Sequence, residues 1–310
     1  MITYARGKSP YGPFESYPLN PVVTNRDLGG HQSRIQGIGH GDLVQTEDGT
    51  TFIVCLGFRQ EGMWMPFHHL GREVFLVPVQ WQQDGWFTAG VNGKVEAEME
   101  MNLNASGEDT CYDVSFEKLG ADSLRWCHLR AYDQANYQFT EQGAKLRGNH
   151  FTLDDVDAPT FLGVRQSEFD TTLDVTVGGN SPEAGVTFYL CEDHHYDLYL
   201  AQADGVCRAE LRLTTGDAQC VKTSVPLEQG QQEVKLHVES DSEFYTFFAE
   251  IAGEKKELGK ARTKYLSSEV AGGFTGTVMA MYAVNPEEKE DAWGEFTGLK
   301  WTMKKWVDNA

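Results

Sequence analysis

Basic residues are scarce in this 310-residue chain: 26 lysines and arginines against 46 aspartates and glutamates leave a formal net charge of −20. So acidic a surface repels phosphate backbones and anionic lipid headgroups, so nucleic acid and membrane surfaces are poor partners, while a neutral ligand such as a sugar is compatible. Long apolar runs are missing too, and nothing approaches the roughly 20 residues that span a bilayer. The amino terminus, MITYARGKSPYGPFE, has no apolar run behind a basic start. No secretory signal is read there, and a cytoplasmic location is the expectation. The six cysteines are scattered without a C-x-x-C pair, which argues against a metal or redox cluster and for reduced thiols. No amphipathic helix pattern stands out, and no repeat of constant period.

What is present is β-structure. Hydrophobic residues make up 40% of the chain, enough to bury a sizeable core. From 1 to 93 short strands are cut by turns. DLVQT and TFIVCLGFR are joined by EDGT, whose Asp48-Gly49 is a strong hairpin signal; REVFLVPVQW meets GWFTAG across QQDG, with Asp84-Gly85 as the second. This is the rhythm of a β-meander, the unit of a propeller blade. A Gly-His-Gly-Asp turn, Gly39 to Asp42, is read between two of the strands. Residues 94–107 are polar and acidic and read as a linker. From 108 to 306 alternating runs such as TTLDVTVG, CRAELRLTT, QEVKLHVES and EFYTFFAEI, spaced by Gly, Asn and Asp, indicate a two-sheet sandwich. The fold class is all-β.

Several segments in series resemble glycoside hydrolase family 43, in its β-xylosidase and α-L-arabinofuranosidase branch. They are ARGKSPYGPFESYPLNPVVTNR, GIGHGDLVQTEDGTTFIVCLGFR, HHLGREVFLVPVQWQQDGWF, PTFLGVRQSEFD, EAGVTFYLCEDHHYDLYL and GGFTGTVMAMYA. The resemblance implies the last-blade region of a five-bladed β-propeller, followed by a concanavalin- or jelly-roll-like β-sandwich. It also implies inverting hydrolysis of xylan-derived oligosaccharides by three carboxylates: a base, an acid, and an aspartate that orients the acid. In the family these come from earlier blades, so the resemblance assigns no catalytic residue to this chain and implies that it is inactive alone.

Individual residues are weighed against that background. Asp42 and Glu73 are the obvious local carboxylates; acceptance of hydrogen bonds from turn backbone or neighbouring arginines is favoured over an acid–base pair. The resemblance places His40 near the propeller axis, in contact with a cation or ordered water; otherwise it is simply hydrogen-bonded. It leaves room for a structural calcium there and requires no other cofactor. Arg72 has planar donors suited to two sugar hydroxyls, and its match implies substrate contact; the alternative is a salt bridge to Glu73 or Asp42. Phe274, between glycines in AGGFTG, matches a phenylalanine that reaches from the sandwich into the active-site mouth; the rival is a core ring opening the strand FTGTVMAMYA. The pairs His68–His69 and His194–His195 are read as structural, since neighbours on a strand point to opposite faces and do not readily chelate one ion. Trp64 remains a candidate sugar platform, while Trp81 and Trp86 are expected to pack on their hairpin.

Three functions compete. The first is the carboxy-terminal portion of a family 43 glycosidase, completed by a chain that supplies the remaining blades. The second is a carbohydrate-binding β-sandwich module. The third is an interaction protein, oligomeric or docked through an exposed sheet edge.

Overall fold

The computed structural model describes residues 1–29, 32–62, 64–99, 113–120 and 123–306. They fall into two units, one holding the described residues up to 99 and the other those from 113 to 306. Of the segment 94–107, residues 100–107 lie outside the described residues. Lys94 and Val95 pack with the first unit: Val95 is buried and exchanges hydrogen bonds of 2.9 and 2.7 Å with the Asn25 carboxamide.

The first unit opens with a small hairpin, β1 (Ala5–Gly7) and β2 (Phe14–Ser16). A four-stranded antiparallel meander follows: β3 (Ile35–Gln45), β4 (Thr51–Arg59), β5 (Glu73–Trp81) and β6 (Phe87–Ala89). Both Asp-Gly hairpins form as read. Asp48 accepts from the Thr46 hydroxyl and the Thr50 amide, and Gly49 N donates to Thr46 O at 2.9 Å. Gly85 N closes the second turn on Gln82 O at 3.0 Å. Trp86 is buried against Tyr4 and Tyr17, with the Arg6 guanidinium 3.8 Å above its ring. Trp81 is half-exposed, bonded to the Thr51 hydroxyl and edge-on to Phe87. Trp64 is exposed.

One local expectation is corrected. The Gly-His-Gly-Asp stretch is not a turn between strands but lies inside β3, where the pairing with β4 slips between Gln36 and Gly39 and again between Gly39 and Asp42. Gly37 and His40 sit there at φ 68° and 51°. Bulges absorb the glycine-rich sequence without ending the strand, because the β-branched and aromatic residues of β4 continue the ladder past them.

The second unit is a two-sheet sandwich with a short strand β7 (Asp113–Val114) and a helical turn α1 (Phe116–Leu119) at its start. Its strands are β8 (Tyr137–Phe139), β9 (Gly143–Arg147), β10 (Thr160–Arg165), β11 (Thr171–Gly179), β12 (Glu183–Cys191), β13 (His194–Ala203) and β14 (Val206–Thr215). They continue as β15 (Ala218–Pro226), β16 (Val234–Ser240), β17 (Phe244–Ile251) and β18 (Glu254–Arg262), then the turn α2 (Ser268–Ala271), β19 (Val278–Val284) and β20 (Trp293–Met303). One sheet runs β10-β19-β12-β13-β14-β15; the other runs β18-β17-β16-β11-β20-β9-β8, with β7 also on β20. Inward residues of both, among them Val186, Leu198, Leu211, Leu236, Phe247 and Phe296, are buried in one continuous core. A smaller cluster (Leu153, Phe161, Tyr189, Tyr199 and Tyr282) covers the far face of the six-stranded sheet. That second cover explains why β12 is buried over all but its end residues and β13 over its first seven, since strands covered on both faces lose alternation.

Candidate functional site

The carboxy-terminal end of β4, the amino-terminal parts of β3 and β5, and the loop from 60 to 72 form one end of the meander. Register sets this up: Leu56 pairs with both Gly39 and Val74, and Gly57 pairs with Glu73. His40 and Arg72 therefore belong to the strand and strand lead-in that flank β4, roughly two strand spacings, or about 10 Å, apart. Both are exposed. Asp42 is also exposed, opposite Val54.

Beneath them lies a polar cluster that the sequence reading did not assemble. Arg59 is buried, and its fork grips Glu73 with contacts of 2.7, 2.9 and 3.2 Å. Arg34 holds the buried Glu61 at 2.5 Å. Glu61 also anchors the loop by exchanging backbone hydrogen bonds of 2.8 and 2.9 Å with Phe67. Each carboxylate is matched to a guanidinium whose planar geometry suits it. Such a carboxylate orders its surroundings.

His68 and His69 are in this loop and not on a strand, so the opposite-face argument does not apply to them. Each has a different aromatic neighbour instead. The His68 ring lies on Phe58, 4.0 Å between centroids and 8° from parallel. His69 is fully buried near the Phe67 ring. Its burial, with Arg59 and His68 adding repulsion, pushes its pKa down to about 3, so the ring is neutral at ordinary pH. Gly37 explains part of the GIGHG motif: a Cβ there would stand 2.0 Å from the Phe58 ring.

A calcium ion takes about six to eight oxygen donors. Among the described residues no three His, Cys, Asp or Glu side chains are arranged to hold a metal, and His40 alone supplies one nitrogen. The residues present do not fit such an ion, and no chemical step is derived through one.

In the second unit Phe274 is 74% exposed. It follows the turn α2, where Gly272 and Gly273 adopt φ 78° and 75°, and it precedes the start of β19 at Val278. The ring is thus on a glycine loop outside the strand and not in the core. His194 and His195 open β13. His194 touches Cys191 Sγ at 3.7 Å, whereas His195 is fully buried between two carboxylates. Its Nδ1 faces Asp197 at 2.9 and 3.0 Å, and its Nε2 faces Asp154 at 3.0 Å. Arg212 extends the chain of charges, donating to Asp197 at 2.8 Å and to Glu183 at 2.6 and 3.1 Å; the Tyr282 hydroxyl donates to Glu183 at 2.7 Å. Burial opposes the charge on His195, but Asp197 and the hydrogen bonds to Asp154 and Asp197 outweigh it and raise the pKa to about 9. Burial likewise opposes the charge on Asp197, yet His195 and Arg212 hold it at about 2.

Comparison with known proteins gives two family matches in chain order. Residues 1–87 match "Glycosyl hydrolases family 43", and residues 115–302 match "Beta xylosidase C-terminal Concanavalin A-like domain". A non-reducing end alpha-L-arabinofuranosidase of Bacteroides ovatus is 36% identical over 288 residues, covering 90% of this chain and 53% of that protein. A xylosidase/arabinosidase of Butyrivibrio fibrisolvens is 26% identical, covering 96% of this chain and 58% of that protein. The chain thus spans about half the length of the curated relatives it matches. Among solved structures, a family 43 protein from a Bacteroides ovatus xyloglucan locus superposes with a TM-score of 0.86 at 32% identity, over 97% of this chain and 60% of that one. A family 43 protein of Bacillus licheniformis shares the fold at TM-score 0.85 and 24% identity, with the same coverage.

Proposed function

This chain belongs to glycosyl hydrolases family 43, and from that premise we propose that it is the carboxy-terminal portion of a β-xylosidase or α-L-arabinofuranosidase. The substrate class is the neutral pentose chains and branches of xylan, cleaved with inversion. The names of the relatives, arabinofuranosidase and xylosidase/arabinosidase, support this substrate class. An acidic chain of net charge −20 is compatible with such neutral sugars.

The observation that carries the reading is the pairing of Glu73 with Arg59 and of Glu61 with Arg34. Inverting hydrolysis needs a protonated carboxyl at the leaving oxygen and a carboxylate activating water on the opposite face, about 6.5–9.5 Å apart. Glu73 and Glu61 are each committed to an arginine, which leaves the exposed Asp42 without an arginine-free carboxylate partner among the three. We therefore assign the acid–base pair to polypeptide outside these 310 residues, and to this chain the positioning of the sugar. By the family resemblance we assign substrate contact to Arg72 and, separately, to Phe274, and a place near the propeller axis to His40.

The test is turnover. The purified chain should release no nitrophenol from 4-nitrophenyl β-D-xylopyranoside or α-L-arabinofuranoside, and adding a fragment that carries the earlier blades should restore release. Hydrolysis by the chain alone, abolished by substituting any of its own carboxylates, would overturn the proposal. Failure of the two pieces to associate or to cleave either glycoside would also count against it.

A further inference from the structure

The outer face of the eight-stranded sheet carries a groove that the hydrolytic reading does not use. On this sheet Val175, Val177 and Phe296 point into the core, whereas Thr176, Glu295 and Thr297 point outward. A depression of about 760 Å³ lies over β8, β9, β20 and β11, and a second of about 440 Å³ over β16 and the end of β17 shares Thr176 and Glu233 with it. These are six neighbouring strands, so the two depressions together run about 24 Å across the sheet. The groove exists partly because Gly178 faces outward without a side chain: a Cβ there would already touch Glu233, at 3.2 Å.

Three features of the lining define its ligand. The first is hydrogen-bonding capacity. Gln138, Gln229 and Gln232 are exposed, and among the described residues their carboxamides make no hydrogen bond within the chain. Carboxamides both donate and accept, as sugar hydroxyls do. The second is charge. Lys145 is paired with Glu295 at 2.6 Å and Lys235 lies 3.6 Å from Asp174, so the net local sign is set by Glu228, Glu233 and Asp291, and it repels anions. The third is an aromatic wall. Trp293 lines the rim half-buried, its backbone amide donating to Asn180 Oδ1 at 2.8 Å, while Asn180 donates to Asp291 O at 3.0 Å. These bonds hold the backbone there, and an indole lining the groove supplies apolar surface suited to the C–H face of a pyranose, alongside polar groups suited to its hydroxyls.

We propose that this groove is a saccharide-binding site that takes an extended, uncharged polysaccharide chain, separate from the hydrolytic reading and not dependent on it. The experiment is affinity electrophoresis of the 310-residue chain through native gels containing soluble arabinoxylan, with dextran and polygalacturonate as comparison gels. Arabinoxylan should retard migration. Trp293→Ala should weaken retardation about tenfold, equivalent to about 1.4 kcal/mol. The double variant Gln138→Ala/Gln232→Ala changes only exposed side chains and so keeps the fold; it should weaken retardation severalfold. Absence of retardation in arabinoxylan, equal retardation by polygalacturonate, or undiminished retardation of the double variant would each overturn the proposal. Because binding alone is read, a failed reconstitution of hydrolysis leaves these outcomes unaffected.

Discussion

Arg59 and Glu73 meet through a two-pronged contact across two neighbouring strands, with a shortest distance of 2.7 Å. Arg59 is buried, so its charge is held in part by that carboxylate. Glu73→Ala should destabilise the first unit by about 3 kcal/mol, because a buried charge loses a bidentate partner. Arg59→Met/Glu73→Leu together should cost less than Glu73→Ala alone. Urea unfolding of the single and double variants measures both, and equal losses would contradict the pairing argument.

Gly37 is constrained twice, by a backbone at φ 68° and by the Phe58 ring lying where a Cβ would be. Gly37→Ala should therefore cost about 2 kcal/mol or more, above the roughly 1 kcal/mol expected from a left-handed backbone alone. Gly49→Ala is the internal control, since Gly49 has a comparable φ of 89° and open space around it. A calorimetric melt of the two variants gives the comparison.

The His195 cluster makes the sandwich sensitive to base. Its folded pKa of about 9 stands above the usual 6.5, so the protonated ring contributes stability that is complete below about pH 6.5 and is lost as pH rises through about 9. For Asp197 the sign reverses: held at about 2, it contributes above about pH 4, and that part is lost as pH falls through about 2. Between pH 6.5 and 9.5 the second unit should thus lose about 1–3 kcal/mol. In His195→Gln that slope should flatten. Denaturant midpoints at stepped pH values report the difference.

Phe274 is exposed, so Phe274→Ala should change stability by no more than about 0.5 kcal/mol. If it contacts substrate as proposed, the reconstituted enzyme should lose about tenfold in kcat/KM, equivalent to about 1.4 kcal/mol. A parallel melt and progress curve distinguish the two effects.

Phe247 is a fully buried core ring, set edge-on to Phe188 at 5.8 Å. Phe247→Ala should cost about 3–5 kcal/mol through lost burial and the cavity left behind. Chemical denaturation of the second unit tests this directly.

Much of the architecture was legible locally. Asp48-Gly49 and Asp84-Gly85 announced their hairpins because such turns demand positive φ at fixed positions. The alternation of TTLDVTVG announced β11 because one face of it is buried. Strands β15 and β18 did not announce themselves: AQCVKTSVP and EKKELGKAR are edge strands, largely exposed, and carry lysines instead of a periodic apolar face. The glycines around Phe274 left a core ring open as one alternative, and only the start of β19 at Val278 set the ring outside that strand.

The order of apolar residues and turn formers was sufficient to specify an all-β chain of meander followed by sandwich, since strand alternation and turn φ are properties of neighbours along the chain. Which charge meets which was decided by tertiary structure. Arg59 finds Glu73 through the register of β4 on β5, and His195 finds Asp154, 41 residues away, only once the six-stranded sheet and its covering loop are in place. The physical reason is range: turn and alternation preferences act over a few residues, whereas the worth of an ion pair depends on ångström-scale placement and on burial that only the assembled sheets create.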